Sequence, residues 1–178
     1  MTVAEFTLNT GQRAERKKLI TVAEWTVGTG NEATQVREIL GTRTPDSSIE
    51  YNADISTETD IRGINYTDIN KTQPQQDFDP FLILGGSKLG ALLNDIRRRN
   101  ALSELNQFTI YVITAFIDGG SSGTHAYEAE KHTGCTIAYN SIGGDANVNF
   151  PISVYLSNNS VTGTVDKLSD DFVFTQDA

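Results

Sequence analysis

Between Ser48 and Asp60 apolar and polar positions alternate without a slip. Ile49, Tyr51, Ala53 and Ile55 share one parity, Ser48, Glu50, Asn52 and Asp54 the other, and Ser56, Glu58 and Asp60 prolong the polar series. A repeat of two is the side-chain period of a β-strand, so a strand with one apolar and one acidic face is expected from about Ser48 into Thr59. The acidic face carries Glu50, Asp54, Glu58 and Asp60 with no lysine or arginine among them.

The rest of the chain reads mostly as strands. Lys18 to Val27 is rich in β-branched and aromatic residues and closes at Gly28 and Gly30, whereas residues 33–41 fit a short helix or a strand equally. After the acidic strand, Arg62-Gly63 predicts a turn, and Ile64, Tyr66 and Ile69 predict a returning strand. Lys71 to Pro80 is polar with prolines near both ends, so it is expected outside any central strand. One helix is predicted: Ser87 is an N-cap, Leu89, Leu92, Leu93 and Ile96 form one apolar stripe, and Arg97, Arg98 and Arg99 suit the negative end of the helix dipole.

Beyond the helix, Phe108, Ile110, Val112 and Phe116 alternate with Tyr111, Ile113, Ala115 and Ile117, which predicts a strand covered on both faces. The helix is expected to cover one face and the rest of a sandwich the other. Asp118 to Gly123 is expected to be a hairpin connection. Strands are then expected around His125–Lys131, Cys135–Tyr139, Val148–Leu156 and Val161–Val165, before an acidic tail that carries Phe172 and Phe174. The expected fold is mainly β, a sandwich or small barrel with one flanking α-helix, in a single domain over residues 1–178.

A net charge of −9 disfavours nucleic-acid binding, which relies on clustered lysine and arginine to neutralise phosphates. The single cysteine, Cys135, excludes an intrachain disulfide and a cysteine-rich zinc site. No apolar run approaches the roughly 20 residues that cross a membrane, and the first nine residues lack the pattern of a secretion signal.

Catalytic motifs are present only as fragments. Gly28-Thr29-Gly30-Asn31-Glu32-Ala33 matches a dinucleotide fingerprint but lacks the long helix and parallel sheet behind it. Gly119 to Gly123 matches a nucleophile elbow, but with strands on both sides. His125 and His132 have opposite parity on a strand, against a shared metal with Glu128 and Cys135. Paired acids such as Asp77 with Asp79, or Glu128 with Glu130, are of the kind that serves glycoside hydrolysis, but substrate-stacking aromatics are sparse in the chain, Trp25 being the one tryptophan. No catalytic residue, cofactor or metal is expected.

The run Ile49-Glu50-Tyr51-Asn52-Ala53-Asp54-Ile55-Ser56, then Glu58 to Gly63 and Lys71 to Pro80, resembles bacteriophage tail tube proteins, the major tail proteins of phages and prophages of Gram-positive bacteria. Tyr127-Glu128-Ala129-Glu130 and Ile142-Gly143-Gly144-Asp145 are similar to the same family, and the resemblance covers roughly residues 45–165. It implies a structural virion protein whose homohexameric rings stack into a hollow tube that conducts double-stranded DNA without binding it specifically. The implied partners are further copies of the chain, the tape measure, the tail terminator and the baseplate or hub proteins, in a tail assembled in the host cytoplasm. Glu50, Asn52, Asp54, Glu58 and Asp60 would face the lumen. Residues 1–18 would be an N-terminal arm and residues 170–178 a C-terminal arm, which with the loop around Thr42–Ser47 and the Lys71–Pro80 segment would bridge neighbouring subunits and rings. Arg13, Lys17, Thr42, Arg43, Pro74, Phe78, Pro80, Phe172 and Phe174 would lie at contacts between subunits or rings. Other ring-forming tail parts, such as a terminator, and the tube of a contractile particle fit the same segments. A β-sandwich binding module is a third alternative; the exposed aromatic cluster it would need is not visible in the sequence.

Overall fold

The structure, a computed structural model, describes residues 8–28, 30–118 and 126–177. It is mainly β with one α-helix, as a sandwich with a flanking helix requires. In chain order the strands are β1 (Leu19–Val27), β2 (Thr34–Ile39), β3 (Ile49–Glu50), β4 (Asp54–Thr59), β5 (Asn65–Lys71) and β6 (Gln75–Phe78). Helix α1 (Lys88–Arg99) follows, then β7 (Phe108–Asp118), β8 (Tyr127–Tyr139), β9 (Ile152–Tyr155), β10 (Ser160–Val165) and β11 (Phe174–Gln176).

Nine strands form one sheet in the order β2-β1-β7-β8-β9-β6-β3, with β10 and β11 branching from β8. The branch arises because β8 is long enough to hold two partners on one edge. Residues 127–132 pair with β10 and residues 136–139 pair with β9. Gly134, between the two registers, has φ +73, a conformation that a side chain would strain, and marks where the strand changes partner. The two strands expected near 125–131 and 135–139 are therefore one.

The helix forms as its sequence dictates. Ser87 Oγ accepts from the Gly90 amide at 3.0 Å, and Asn100 closes the helix in the left-handed region at φ 55. Glu38 on β2 adds a second cap: its carboxylate accepts from the amides of Lys88 at 2.6 Å and Leu89 at 2.8 Å. Leu89, Leu93 and Ile96 are fully buried in one core with Ala23, Trp25, Phe108, Ile110, Val112, Ile137, Phe150, Ile152 and Val154, while Leu92 packs at its margin. The apolar stripe thus covers the Phe108–Ile110–Val112 face of β7, as expected.

The opposite face of β7 is covered from an unexpected direction. Tyr111 and Ile113 join Val22, Ala129, Val165 and Phe172 in a second cluster, with Leu168 and Phe174 against it. The C-terminal segment supplies this cover, and β11 pairs with β10. Residues 170–177 are therefore an integral layer of the domain, and the expected C-terminal arm is corrected accordingly. At the other end, Arg16 donates from Nε and Nη2 to the Ser47 carbonyl at 2.9 and 2.6 Å, so the last residues of the expected N-terminal arm also belong to the body.

Lys71 to Pro80 contains a strand after all. β6 lies inside the sheet between β9 and β3, because Pro74 and Pro80 flank Gln75–Phe78 and leave all four of its amides free for pairing. Gln76 and Phe78 point inward and are fully buried. Thr21 Oγ on β1 donates to Gln76 Oε1 at 2.8 Å, tying together two strands that are not neighbours in the sheet; Gln76 Nε2 has no hydrogen-bond partner among the described residues.

Candidate functional site

The acidic segment does not form one strand. Asn52 takes φ +43, a conformation Asn tolerates better than most residues, and Tyr51, Asn52 and Ala53 break the run into β3 and β4. Asn52 Nδ2 donates to the Gln73 carbonyl at 3.2 Å, and the Gln73 amide to the Tyr51 carbonyl at 2.9 Å, so the two halves stay joined through the break. The product is a ribbon. β3 pairs with β6 at the body, then β4 pairs with β5 in a separate two-stranded sheet.

From residue 51 to residue 71 every side chain is exposed except those of Ser56 and Asp60, which are half-buried. Directly opposed residues share a face of an antiparallel pair. Ile55 opposes Ile69 and Thr57 opposes Thr67, giving one face of isoleucine and threonine; Ile55 is 58% and Ile69 66% exposed. Ser56 opposes Asp68 and Glu58 opposes Tyr66 on the second face, which is acidic. Asp68 was missed in the sequence because the register of β4 on β5 was needed to see it beside Glu58.

Two of the expected lumen acids have a local role or a nearby cation. Asp60 accepts from the amides of Arg62 at 2.8 Å and Ile64 at 2.9 Å, and its Oδ2 accepts from Arg62 Nε and the Tyr66 hydroxyl. These bonds, the Ile64 amide foremost, hold the Asp60 carboxyl below its ordinary range and build the β4–β5 turn. Asp54 stands opposite Lys71 in the ladder. Glu50, back at the body, borders a cleft shared with Asp46, Asp77 and Asp79. The single acidic face expected over Glu50, Asn52, Asp54, Glu58 and Asp60 is therefore corrected to two groups, one at the body and one on the ribbon around Glu58 and Asp68.

The expected contact residues divide in the same way. Arg13, Lys17, Thr42 and Arg43 are exposed, Lys17 in an ion pair with Glu15, and Pro80 and Phe174 are partly covered. Pro74, Phe78 and Phe172 are corrected. Pro74 is buried with its carbonyl accepting from Leu156, Phe78 is 1% exposed, and Phe172 is 2% exposed with its ring 4.9 Å from that of Tyr111. Phe78 and Phe172 fill this chain's own core, where apolar burial places them. Two of the three arginines at the end of α1 are engaged locally: Arg99 donates to both Glu104 oxygens at 2.8 Å and to Asp95 at 2.7 Å, and Arg97 donates to Asn94.

No group of three or more His, Cys, Asp or Glu among the described residues could hold a metal ion. Past Asp118, the hairpin connection expected at 118–123, with the elbow-like run 119–123, lies outside the described residues, as does His125. No described helix is long and apolar enough to cross a membrane. In comparisons with known proteins, no family model matches the chain and no curated protein matches it.

Proposed function

We propose that this chain is a self-assembling structural subunit of a phage-type tail tube, stacking as rings around a lumen through which DNA passes. The observation that carries the proposal is the projecting ribbon, with Ile55 and Ile69 uncovered on one face and Glu58 and Asp68 on the other. An exposed apolar face on an extended ribbon is a seat for another chain. Rings and stacks need heterologous contacts of this kind, in which an element of one copy fits a different surface of the next. The acidic face suits a passage for DNA, because the carboxylates of Glu58 and Asp68 repel phosphates, while the ribbon's own cations, Arg62 and Lys71, stand beside Asp60 and Asp54. The resemblance of the same segment to tail tube proteins supports the same role.

Changing Ile55 and Ile69 together to Asp tests it. Both are exposed in the single chain, so the body should keep its circular dichroism, and the lost cross-strand pair with its opposed carboxylates should cost about 1 kcal/mol, confined to the ribbon. Sedimentation velocity of the concentrated variant should show monomer alone where the wild type shows rings or longer polymers. Unchanged assembly of the double variant would overturn the role given to the ribbon.

A further inference from the structure

His132 sits where β8 changes partner from β9 to β10, and both its ring nitrogens face acceptors. Nδ1 lies 2.9 Å from the Ser157 carbonyl oxygen and Nε2 3.3 Å from Glu130 Oε2. The residue is 6% exposed. A neutral imidazole has one N–H and one lone pair, so in this arrangement it would press a lone pair against an oxygen; only the doubly protonated ring can donate to both.

The surroundings make Ser157 a joint rather than an ordinary loop residue. Its amide donates to Cys135 Sγ at 3.4 Å, its hydroxyl donates to the Thr133 carbonyl, and the Thr133 amide donates to the Asn159 carbonyl at 3.0 Å. Beyond the joint come β10, then Phe172 and, at the start of β11, Phe174, whose rings lie against Tyr111.

We propose that His132 is a proton-operated clamp: its charged ring bridges Glu130 and the Ser157 carbonyl and fixes the joint that holds β10 and the C-terminal cover on β8. Loss of one proton breaks one bridge and loosens the joint. Among the described residues, few other charges bear on the ring. β7 presents Ile110 opposite His132 and β10 presents Ser160, both uncharged. Lys131 stands over the rings of Tyr111 and Phe174 on the other face. Burial keeps the nearby Cys135 a neutral thiol by raising its pKa. For His132 itself, burial lowers the pKa, but Glu130 and the Ser157 carbonyl outweigh it and the net direction is upward. A raised folded value means the clamp is fully set below the unfolded value of about 6.5 and is lost as pH rises through the folded one.

Amide exchange with residue resolution by NMR, alongside the His132 ring resonances, tests this on the intact chain. After correction for intrinsic exchange, protection of Ser157 and Ser160–Val165 should fall about tenfold, the scale of one charge-assisted hydrogen bond, in step with the His132 titration. Amides of β1 paired to β7 should not follow it. Glu130→Gln should move the titration to lower pH, and His132→Asn should abolish the step. If the asparagine variant fails to fold, Glu130→Gln decides alone. A His132 midpoint at or below the ordinary value, or protection of β10 independent of that titration, would overturn the clamp.

Discussion

Glu24 and Arg37 stand directly opposite each other on β1 and β2, with Arg37 Nε 2.5 Å from Glu24 Oε2 and both side chains largely covered. The Tyr111 hydroxyl donates to the same carboxylate at 3.3 Å, and Arg37 Nη1 donates to the Phe172 carbonyl at 2.6 Å. The guanidinium lies over the Phe172 ring at 4.4 Å from its centre. One ion pair thus fastens the edge strand to the C-terminal cover. Burial first, and then the Glu24 charge, push the Tyr111 hydroxyl up to about 12.

Removing one member of such a pair leaves the other charge in a poor solvent. Arg37→Ala should cost about 3–5 kcal/mol in urea denaturation, and the Arg37→Met, Glu24→Met double variant should recover most of it. A loss under about 1 kcal/mol, the usual worth of an exposed pair, would show that the contact is solvated.

The stripe of α1 is not uniform. Leu93 is fully buried and Leu92 only partly so, and the cost of truncation grows with the cavity left behind. Leu93→Ala should cost about 2–5 kcal/mol and Leu92→Ala distinctly less. Equal midpoints for the two variants would contradict the placement of the helix on β7.

Charge on the ribbon and at the helix end should have opposite consequences. Glu58→Lys with Asp68→Lys changes exposed side chains and should leave folding within about 0.5 kcal/mol, yet slow or block DNA passage in assembled tails. Arg97, Arg98 and Arg99 all changed to Ala should leave assembly and DNA retention intact, since Arg99 serves the Asp95–Glu104 end of the helix. Loss of DNA retention in the arginine variant, with normal passage in the lysine variant, would reverse these roles.

What was legible in the sequence is local. Ser87, the leucine stripe and the arginines define α1 without any knowledge of partners, and the double alternation of Phe108–Ile117 announces a strand covered twice. What was not legible depends on register. The strand β2 was ambiguous because Thr34–Ile39 is an edge whose apolar residues are only half-covered. The Glu24–Arg37 pair exists only once β2 is laid on β1. β6 was hidden by prolines that bound the strand instead of interrupting it. The acidic alternation over Ser48–Asp60 was real as a pattern, but Asn52 turned it into two short strands, and the acid that completes the ribbon face, Asp68, came from the returning strand.

Negative-stain electron microscopy of the purified protein at rising concentration tests the central claim most directly. A tail tube subunit should give hollow tubes, or rings with a central hole that stack, and the Ile55→Asp, Ile69→Asp variant should give neither. Fields of single particles at every concentration, together with a monomer at every concentration in the ultracentrifuge, would contradict it.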